Sequence, residues 1–205
     1  MSNSIEFFET QFGRQVADGD LTLNPFEVAA LPYLRGHMLD FGCGLGNLAV
    51  AAARQGCPVL AIDAAPTAID HLEARARQEG LPITALKANL HDYDITEDFD
   101  VIVAIGLLMF FNPDTARRQL VQLQAHVRPR GLAIINVLIE GTTFLDMFDP
   151  ANHYLFRREE LREAFAGWEI VSETFENFPA PGDLVKCFAT MIARKPSQLS
   201  DWLHQ

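Results

Sequence analysis

Three glycines at alternate positions, Gly42, Gly44 and Gly46, follow an apolar run that carries an acid, Asp40. The string over residues 38–46 is MLDFGCGLG, and a small, apolar, helix-prone segment, LAVAAARQ, fills residues 48–55. The order reads as a strand, a glycine turn and a helix start. Glycines let the backbone bend through positive φ and approach a ligand closely. The helix behind them offers free N–H groups and a partial positive charge. Such a turn suits a nucleotide-like cofactor. Asp63 ends a second apolar run further along the chain. An acid at that strand end, at this spacing from the glycines, accepts hydrogen bonds from ribose hydroxyls in nucleotide-binding α/β folds. The competing reading is a helix N-terminal acid before Pro66.

The glycine spacing selects among cofactors. A dinucleotide fingerprint, G-x-G-x-x-G, places a third glycine where this chain has Asn47. That argues against a nicotinamide-dependent dehydrogenase. Asp40 puts a carboxylate beside the turn, which repels a pyrophosphate and suits an ammonium or sulfonium group. S-adenosylmethionine (SAM) is such a ligand. Cys43 and Ala64 flank these positions and border the same cofactor. After a third run come Ala88, Asn89 and Leu90. The Asn89 amide can accept from the adenine amino group or donate to a ring nitrogen, although asparagine also forms turns there. Ile105, Gly106 and Leu107 end a fourth run, where ligands of open α/β sheets sit. Their carbonyls are expected to face the methionine end. Asp100 opens that strand on the far side, and a structural role is expected for it.

Alternating strand-like and helix-like segments must position these residues. The pattern predicts strands at 36–40, 59–63, 83–88, 100–105 and 131–138, and helices at 47–55, 66–79 and 113–127. Pro66 and Pro113 suit first helical turns, Gly56 and Gly80 suit helix ends, and Pro129, Arg130 and Gly131 form a turn. Residues 4–34 are expected to form an N-terminal cap whose Phe7, Phe8 and Phe12 pack over the cofactor cleft. A helix at 158–166 precedes two β-rich runs, 168–175 and 186–194. These are expected to pair antiparallel, joined by the helix-free stretch 176–185. The expected fold is α/β: Rossmann-like and doubly wound, with a mostly parallel seven-stranded sheet, a C-terminal antiparallel strand pair and a small helical cap. One domain is expected over residues 1–205, with the cap at 1–34, the core at 35–195 and a tail at 196–205.

Composition narrows the partners. The chain has 205 residues, 49% hydrophobic and 21% charged, with a net charge of −11. That charge disfavours binding to a phosphate backbone, which needs clustered Lys and Arg. The pairs Arg117–Arg118 and Arg157–Arg158 read as solvated helix surface. Cys43, Cys57 and Cys187 form no C-x-x-C pair, so neither a zinc site nor a disulfide framework is expected. Reduced thiols point to a cytoplasmic setting. The first residues lack a basic, then apolar, secretory pattern. No apolar run is long enough for a spanning helix, so no membrane span is expected.

Taken in order, the MLDFGCGLG string, Asp63, the FDVIVAIG segment at 99–106 and the R-P-R-G-L turn at 128–132 resemble class I SAM-dependent methyltransferases. Within them the chain is similar to the tellurite-resistance (TehB-like) family through Leu108, Met109 and Phe110, the segment FRREELR at 156–162 and FATMIARK at 188–195. Two departures stand out. The family position that contacts adenine is usually Asp and here is Asn89. The stretch at 177–183 lacks the His-Arg pair and the longer polar loop of relatives.

The resemblance implies in-line transfer of a methyl group to a small-molecule acceptor, such as a tellurium or selenium oxyanion or a thiol, leaving S-adenosylhomocysteine. Alignment alone can supply about 7–11 kcal/mol of such a barrier. A hydroxyl or amine acceptor would need a base, for which His153 and Glu140 are the candidates; for His153 the alternative is a surface loop histidine. Phe12, Met109 and Phe110 are candidates for the acceptor pocket. With Leu108, Phe111, Phe144, Met147 and Phe148 the stripe also reads as ordinary core packing. Arg14 is a candidate partner for the methionine carboxylate, or a surface charge. The alternatives are a nucleic-acid or protein methyltransferase and a non-catalytic SAM-binding protein. The oligomeric state is left open.

Overall fold

A computed structural model describes residues 3–150 and 152–197. Two helices lead: α1 (Asn3–Asp18) and α2 (Pro25–Ala30), the latter followed by a 3₁₀ turn, Leu31–Tyr33. The core then runs β1 (Met38–Phe41), α3 (Asn47–Arg54), β2 (Val59–Asp63), α4 (Pro66–Glu79), β3 (Ile83–Lys87) and β4 (Phe99–Ile105). A 3₁₀ turn at Leu108–Phe110, α5 (Pro113–Ala125), β5 (Val127–Leu138), α6 (Glu160–Ala164), β6 (Glu169–Ala180) and β7 (Leu184–Arg194) complete it.

The seven strands form one sheet in the order β3-β2-β1-β4-β5-β7-β6. The first five are parallel, and β7 pairs antiparallel with both β5 and β6. This is the expected Rossmann-like fold. Strand order reverses at β1, which has β2 on one side and β4 on the other. Loops leaving β1 and β4 therefore diverge and open a crevice at their C-terminal ends.

Alternate residues of each strand enter two apolar layers, as the period of two demands. Leu39, Phe41, Ile102 and Ile135 pack with Leu120 of α5 and Phe165. Met38, Val101, Val103 and Ile134 pack with Leu48 and Ala49 of α3 and Ala30 of α2. Buried on both faces, these strands have near-continuous apolar sequences. Asp40 lies two residues beyond Met38, so it belongs to the second layer, on the side covered by α2 and α3.

Local chemistry sets the element ends. Asn24 accepts from Phe26 N and Glu27 N, and Glu27 accepts from Asn24 N, a reciprocal capping box with Pro25 in the first turn. Asn112 caps α5 through Thr115 N. Glu9 of α1 accepts from both Thr67 N and Thr67 Oγ1, so the leading helix caps α4 from a distant part of the sequence. Lys195 Nζ donates to the carbonyls of Gln124, Ala125 and Val127, satisfying the open end of α5. Asp100 accepts from His37 N at 2.8 Å and from Arg128 at 2.9 Å, bracing the end of β4 remote from the crevice.

Several boundaries differ from the sequence expectation. The turn at Pro129, Arg130 and Gly131 lies inside β5, which begins at Val127; the register with β4 jumps there, and Arg130 adopts φ 64°. α6 is shorter than expected, because the buried Glu160 carboxylate takes the Tyr154 hydroxyl and Arg157 N at its start. The joint between the last two strands is also far shorter than the expected stretch 176–185. Both strands run on until Ala180 pairs with Leu184, leaving Pro181, Gly182 and Asp183 as a tight hairpin. Phe178 supports the extension by packing against Phe26 and Phe188, with centroids 5.5 and 5.8 Å away. Pro179 is tolerated because β6 is an edge strand. Of the expected tail, 196–205, residues 198–205 lie outside the described residues.

Candidate active site

A cavity of about 340 Å³ opens over the C-terminal ends of β1, β2 and β4 and is roofed by α1 and α2. Its floor is the glycine turn. Gly42 N and Cys43 N both donate to Ile62 O, at 2.8 and 3.0 Å, which fastens the turn to β2. Gly46 forms the N-cap of α3 at φ 70°, and a Cβ there would lie 2.5 Å from both methyls of Leu72. Gly44 has φ 52°, with the Phe12 ring 3.2 Å from where a Cβ would stand. Side chains at either position would meet protein before they met a ligand.

Asp63 accepts from Gly44 N through Oδ2 and from Ala65 N through Oδ1, each at 2.9 Å. It also lines the cavity. Burial pushes its carboxyl pKa up, and the N–H groups of Ala65, Gly44 and Ala64 partly offset this. The carboxylate therefore holds the turn in shape while lining the cavity. Asp63→Ala is expected to weaken S-adenosylhomocysteine binding by roughly tenfold to a hundredfold, the loss of a charge-assisted contact worth about 1.5–3 kcal/mol. Calorimetric titration of the folded variant with unchanged affinity would remove Asp63 from the cofactor site.

Asp40 is 5% exposed and lines the cavity, and its Oδ2 has no protein partner. Burial pushes its pKa up to about 8, helped by the charges of Glu27 and Asp63 and opposed by the backbone N–H of Ala49. Glu27 reaches the same cavity from α2, and burial raises its pKa too, against the hydrogen bond from Asn24 N. The Cys43 thiol is held well above its usual range, first by burial and then by Asp40 and Asp63, so it stays protonated at neutral pH.

Asn89, Leu90, Ile105, Gly106 and Leu107 also line the cavity. Asn89 makes a local turn as well: Oδ1 accepts from His91 N at 3.2 Å and Nδ2 donates to Asp92 at 2.8 Å. Gly106 N donates to Asn136 O, which fixes the end of β4 against β5. At the other end stands an aromatic wall of Phe8, Phe12, Phe110 and Phe111. Phe8 stacks on Phe12 at 5.6 Å and meets Phe110 edge-on at 5.0 Å.

Five of the sequence candidates stand outside this lining, Gly46 among them, at the N-cap of α3 against Leu72. Met109 is 3% exposed and packs behind the wall with Leu138, Met147 and Phe148. His153 stacks on Phe148 at 5.1 Å, with Nδ1 3.3 Å from Asp149 O. Glu140 is exposed beyond the end of β5, its N–H bonded to Phe156 O. Arg14 lies in an outer groove with Phe7, Thr10, Asp18 and Asp20. Conversely, the sequence reading missed Glu27, Asn24, Gln11 and His91, all of which line the cavity. The Asn24–Glu27 capping box was a readable helix start; its docking over β1 was not. Burial lowers the His91 pKa, so the imidazole is neutral at pH 7, its ring 4.5 Å from Phe111. Among the described residues, no Lys or Arg lines the cavity, no acidic, His or Cys group could hold a metal, and no helix is long and apolar enough to cross a membrane.

Comparison with known proteins agrees with this geometry. The family described as "Methyltransferase domain" matches residues 38–131, from β1 through the turn before the buried part of β5. Hemagglutinin 1 of Eikenella corrodens is 29% identical over 77% of this chain and 54% of its own length. The probable S-adenosyl-L-methionine-dependent methyltransferase TehB of Haemophilus influenzae is 27% identical over 77% of this chain and 57% of its own length. The crystal structure of Haemophilus influenzae TehB superposes with a TM-score of 0.73 at 23% identity, covering 84% of this chain and 62% of that one. A Burkholderia thailandensis 1,6-didemethyltoxoflavin N1-methyltransferase with bound S-adenosylhomocysteine gives 0.64 at 23% identity, over 92% and 87%. The chain thus spans little more than half the length of these two sequence relatives. Residues 38–131 thus match the methyltransferase-domain family, and the strand order and fold of the chain resemble those of TehB.

Proposed function

We propose that this chain binds SAM across the ends of β1, β2 and β4 and passes its methyl group to a small molecule held against the aromatic wall. The observation that carries this reading is a single cavity with a glycine turn and two carboxylates at one end and four phenylalanines at the other. The residues present fit the cofactor: a Cβ at Gly44 would crowd the Phe12 ring that lines the cavity, and the partnerless carboxyl of Asp40 suits a cationic group. In this reading Asp63 holds the ribose, Asn89 and Leu90 border the adenine, and Asp40 faces the methionine ammonium. Gly42, Cys43, Ala64, Ile105 and Gly106 complete the cofactor's contacts, while Phe12 and Phe110 face the acceptor.

The bound sulfonium supplies an already activated methyl group. The chain then has to align the acceptor and exclude water, which the phenylalanines favour. The lining argues for the thiol-like member of the acceptor class, entering as a neutral thiol that gives its proton to solvent as its S–CH3 bond forms and the sulfonium C–S bond breaks, over the tellurium or selenium oxyanion. Three acids and no Lys or Arg border the cavity among the described residues, so an anionic acceptor gains no counter-charge. The same absence argues against a nucleic-acid substrate. A hydroxyl or amine acceptor is the second reading, favoured by neutral His91, which can accept a proton.

Acceptor choice is tested by S-adenosylhomocysteine release from SAM with a thiol, a phenol, selenite and tellurite at pH 7. Release with the thiol and none with the two oxyanions is expected. Turnover with the oxyanions alone would overturn this account of the wall. Turnover with the phenol, abolished in His91→Phe, would select the second reading.

A further inference from the structure

The cap helix α2 brings a second acid to the cavity, and its partner there lacks a counter-ion. Glu27 stands beside Asp40: each lines the cavity, and the charge of Glu27 is felt at Asp40. Glu27 Oε2 is committed to Asn24 N at 2.7 Å, so its place is fixed by the capping box. Asp40 lines the cavity, is only 5% exposed, and its buried Oδ2 has no hydrogen-bond partner. A buried carboxyl without a partner carries a desolvation penalty that a cationic ligand would remove.

The other charged and titratable groups around the pair are known. Asp63 faces it from β2 and the Cys43 thiol from the glycine turn. Glu9 of α1 stands behind Asp63, bound to Thr67. His91 lies on the loop after β3, and no Lys or Arg lines the cavity among the described residues. Arg75 of α4 donates to Asn47 and pairs with Glu79; no cation lines the cavity itself among the described residues, and burial with the like charges of Glu27 and Asp63 favours the protonated form of Asp40.

We propose that Glu27 and Asp40 together form the seat for an alkylammonium group, and that a ligand carrying this group expels a proton from the pair as it loads. The balance is simple. The carboxylic acid gives its proton to solvent, and the carboxylate left behind pairs with the incoming ammonium, which keeps its own protons. No bond to carbon changes. Glu27 is here a positioning and specificity residue that ties cofactor loading to the docking of α2. The proposal rests on the SAM reading above and adds to it a second carboxylate and a proton.

Calorimetric titration of the full chain at pH 7, in two buffers of different ionisation enthalpy, reads the proton directly. S-adenosylhomocysteine should bind with release of about one proton. Methylthioadenosine, which keeps the nucleoside and lacks the amino acid, should bind with none. Between pH 6 and 7 the affinity for S-adenosylhomocysteine should rise about tenfold, the limit for one released proton. Asp40→Asn should abolish the release. Glu27→Gln should weaken S-adenosylhomocysteine about tenfold and leave methylthioadenosine unchanged, and should move the pH dependence to lower pH, because a like charge is gone. A helix merely unseated by the substitution would weaken both ligands equally and would overturn the role of Glu27. S-adenosylhomocysteine binding without proton release overturns the seat while the cofactor reading stands. No heat with either ligand removes the cofactor reading and this proposal with it.

Discussion

Asp40→Asn is expected to raise the thermal midpoint of the ligand-free protein at pH 8 and, in the same variant, to weaken S-adenosylhomocysteine. The two effects have one cause. In the unfolded chain Asp40 titrates near 3.8, and in the folded protein burial and the charges of Glu27 and Asp63 move it to about 8. Between those values the folded protein holds a proton that the unfolded chain has lost. Stability from this group is therefore greatest below pH 4 and declines as the pH rises to 8, with a total on the order of 3–5 kcal/mol. Asparagine cannot ionise, so the variant escapes that decline. For a domain of this size about 3 kcal/mol is roughly 6–12 °C in the midpoint. The loss on the ligand side is a charge-assisted contact of about 1.5–3 kcal/mol. Midpoints measured from pH 5 to 8 check the argument: wild type should fall relative to the variant across this window. Parallel curves would mean that Asp40 is already ionised in the free protein.

Gly46→Val is expected to remove both stability and cofactor binding. The residue sits at φ 70°, and left-handed backbone costs an L-residue about 1–2 kcal/mol. Its new Cβ would stand 2.5 Å from both Leu72 methyls, and Leu72 is fully buried between α4 and α3. Such overpacking costs about 1–3 kcal/mol more. The sum, about 2–5 kcal/mol by these two effects, falls on the N-cap of α3 and on the turn that shapes the cavity floor. Gly56→Ala is the control: φ is 89° with no atom within 4 Å, so only backbone strain applies. Chemical denaturation should show Gly46→Val losing clearly more than Gly56→Ala. Equal losses would mean that the turn tolerates a side chain beside Leu72.

The parallel half of the sheet was readable because its signals are local. Val59–Asp63 and Pro66–Glu79 have the bounds their apolar run, Pro66 and Gly80 imply. Gly44 and Asp63 were paired by spacing, and in the fold they share a hydrogen bond. What stayed hidden depends on docking between distant segments. Pro181, Gly182 and Asp183 were a local turn signal, but the length of the strands that they join is supported by Phe178 packing on Phe26 and Phe188, which no local pattern announces. Glu27 looked like a capping residue, and it is one; its second face is set by where α2 lies over β1. Arg14, Glu140 and His153 were chosen by type and neighbourhood, and the direction of a side chain from a helix or loop was beyond that reasoning. The aromatic stripe divided: Phe110 and Phe111 reach the cavity, while Met109, Met147 and Phe148 form the packing behind it.

The central claim, that this chain is built to hold SAM, is tested most directly by thermal unfolding with S-adenosylhomocysteine and, in parallel, with NADH. At about 100 times its dissociation constant a ligand of the folded state adds roughly 2.7 kcal/mol, several degrees for a domain of this size. A rise with S-adenosylhomocysteine and none with NADH is the expected result. A rise with NADH alone, or no rise with S-adenosylhomocysteine at millimolar concentration, would contradict the cofactor assignment.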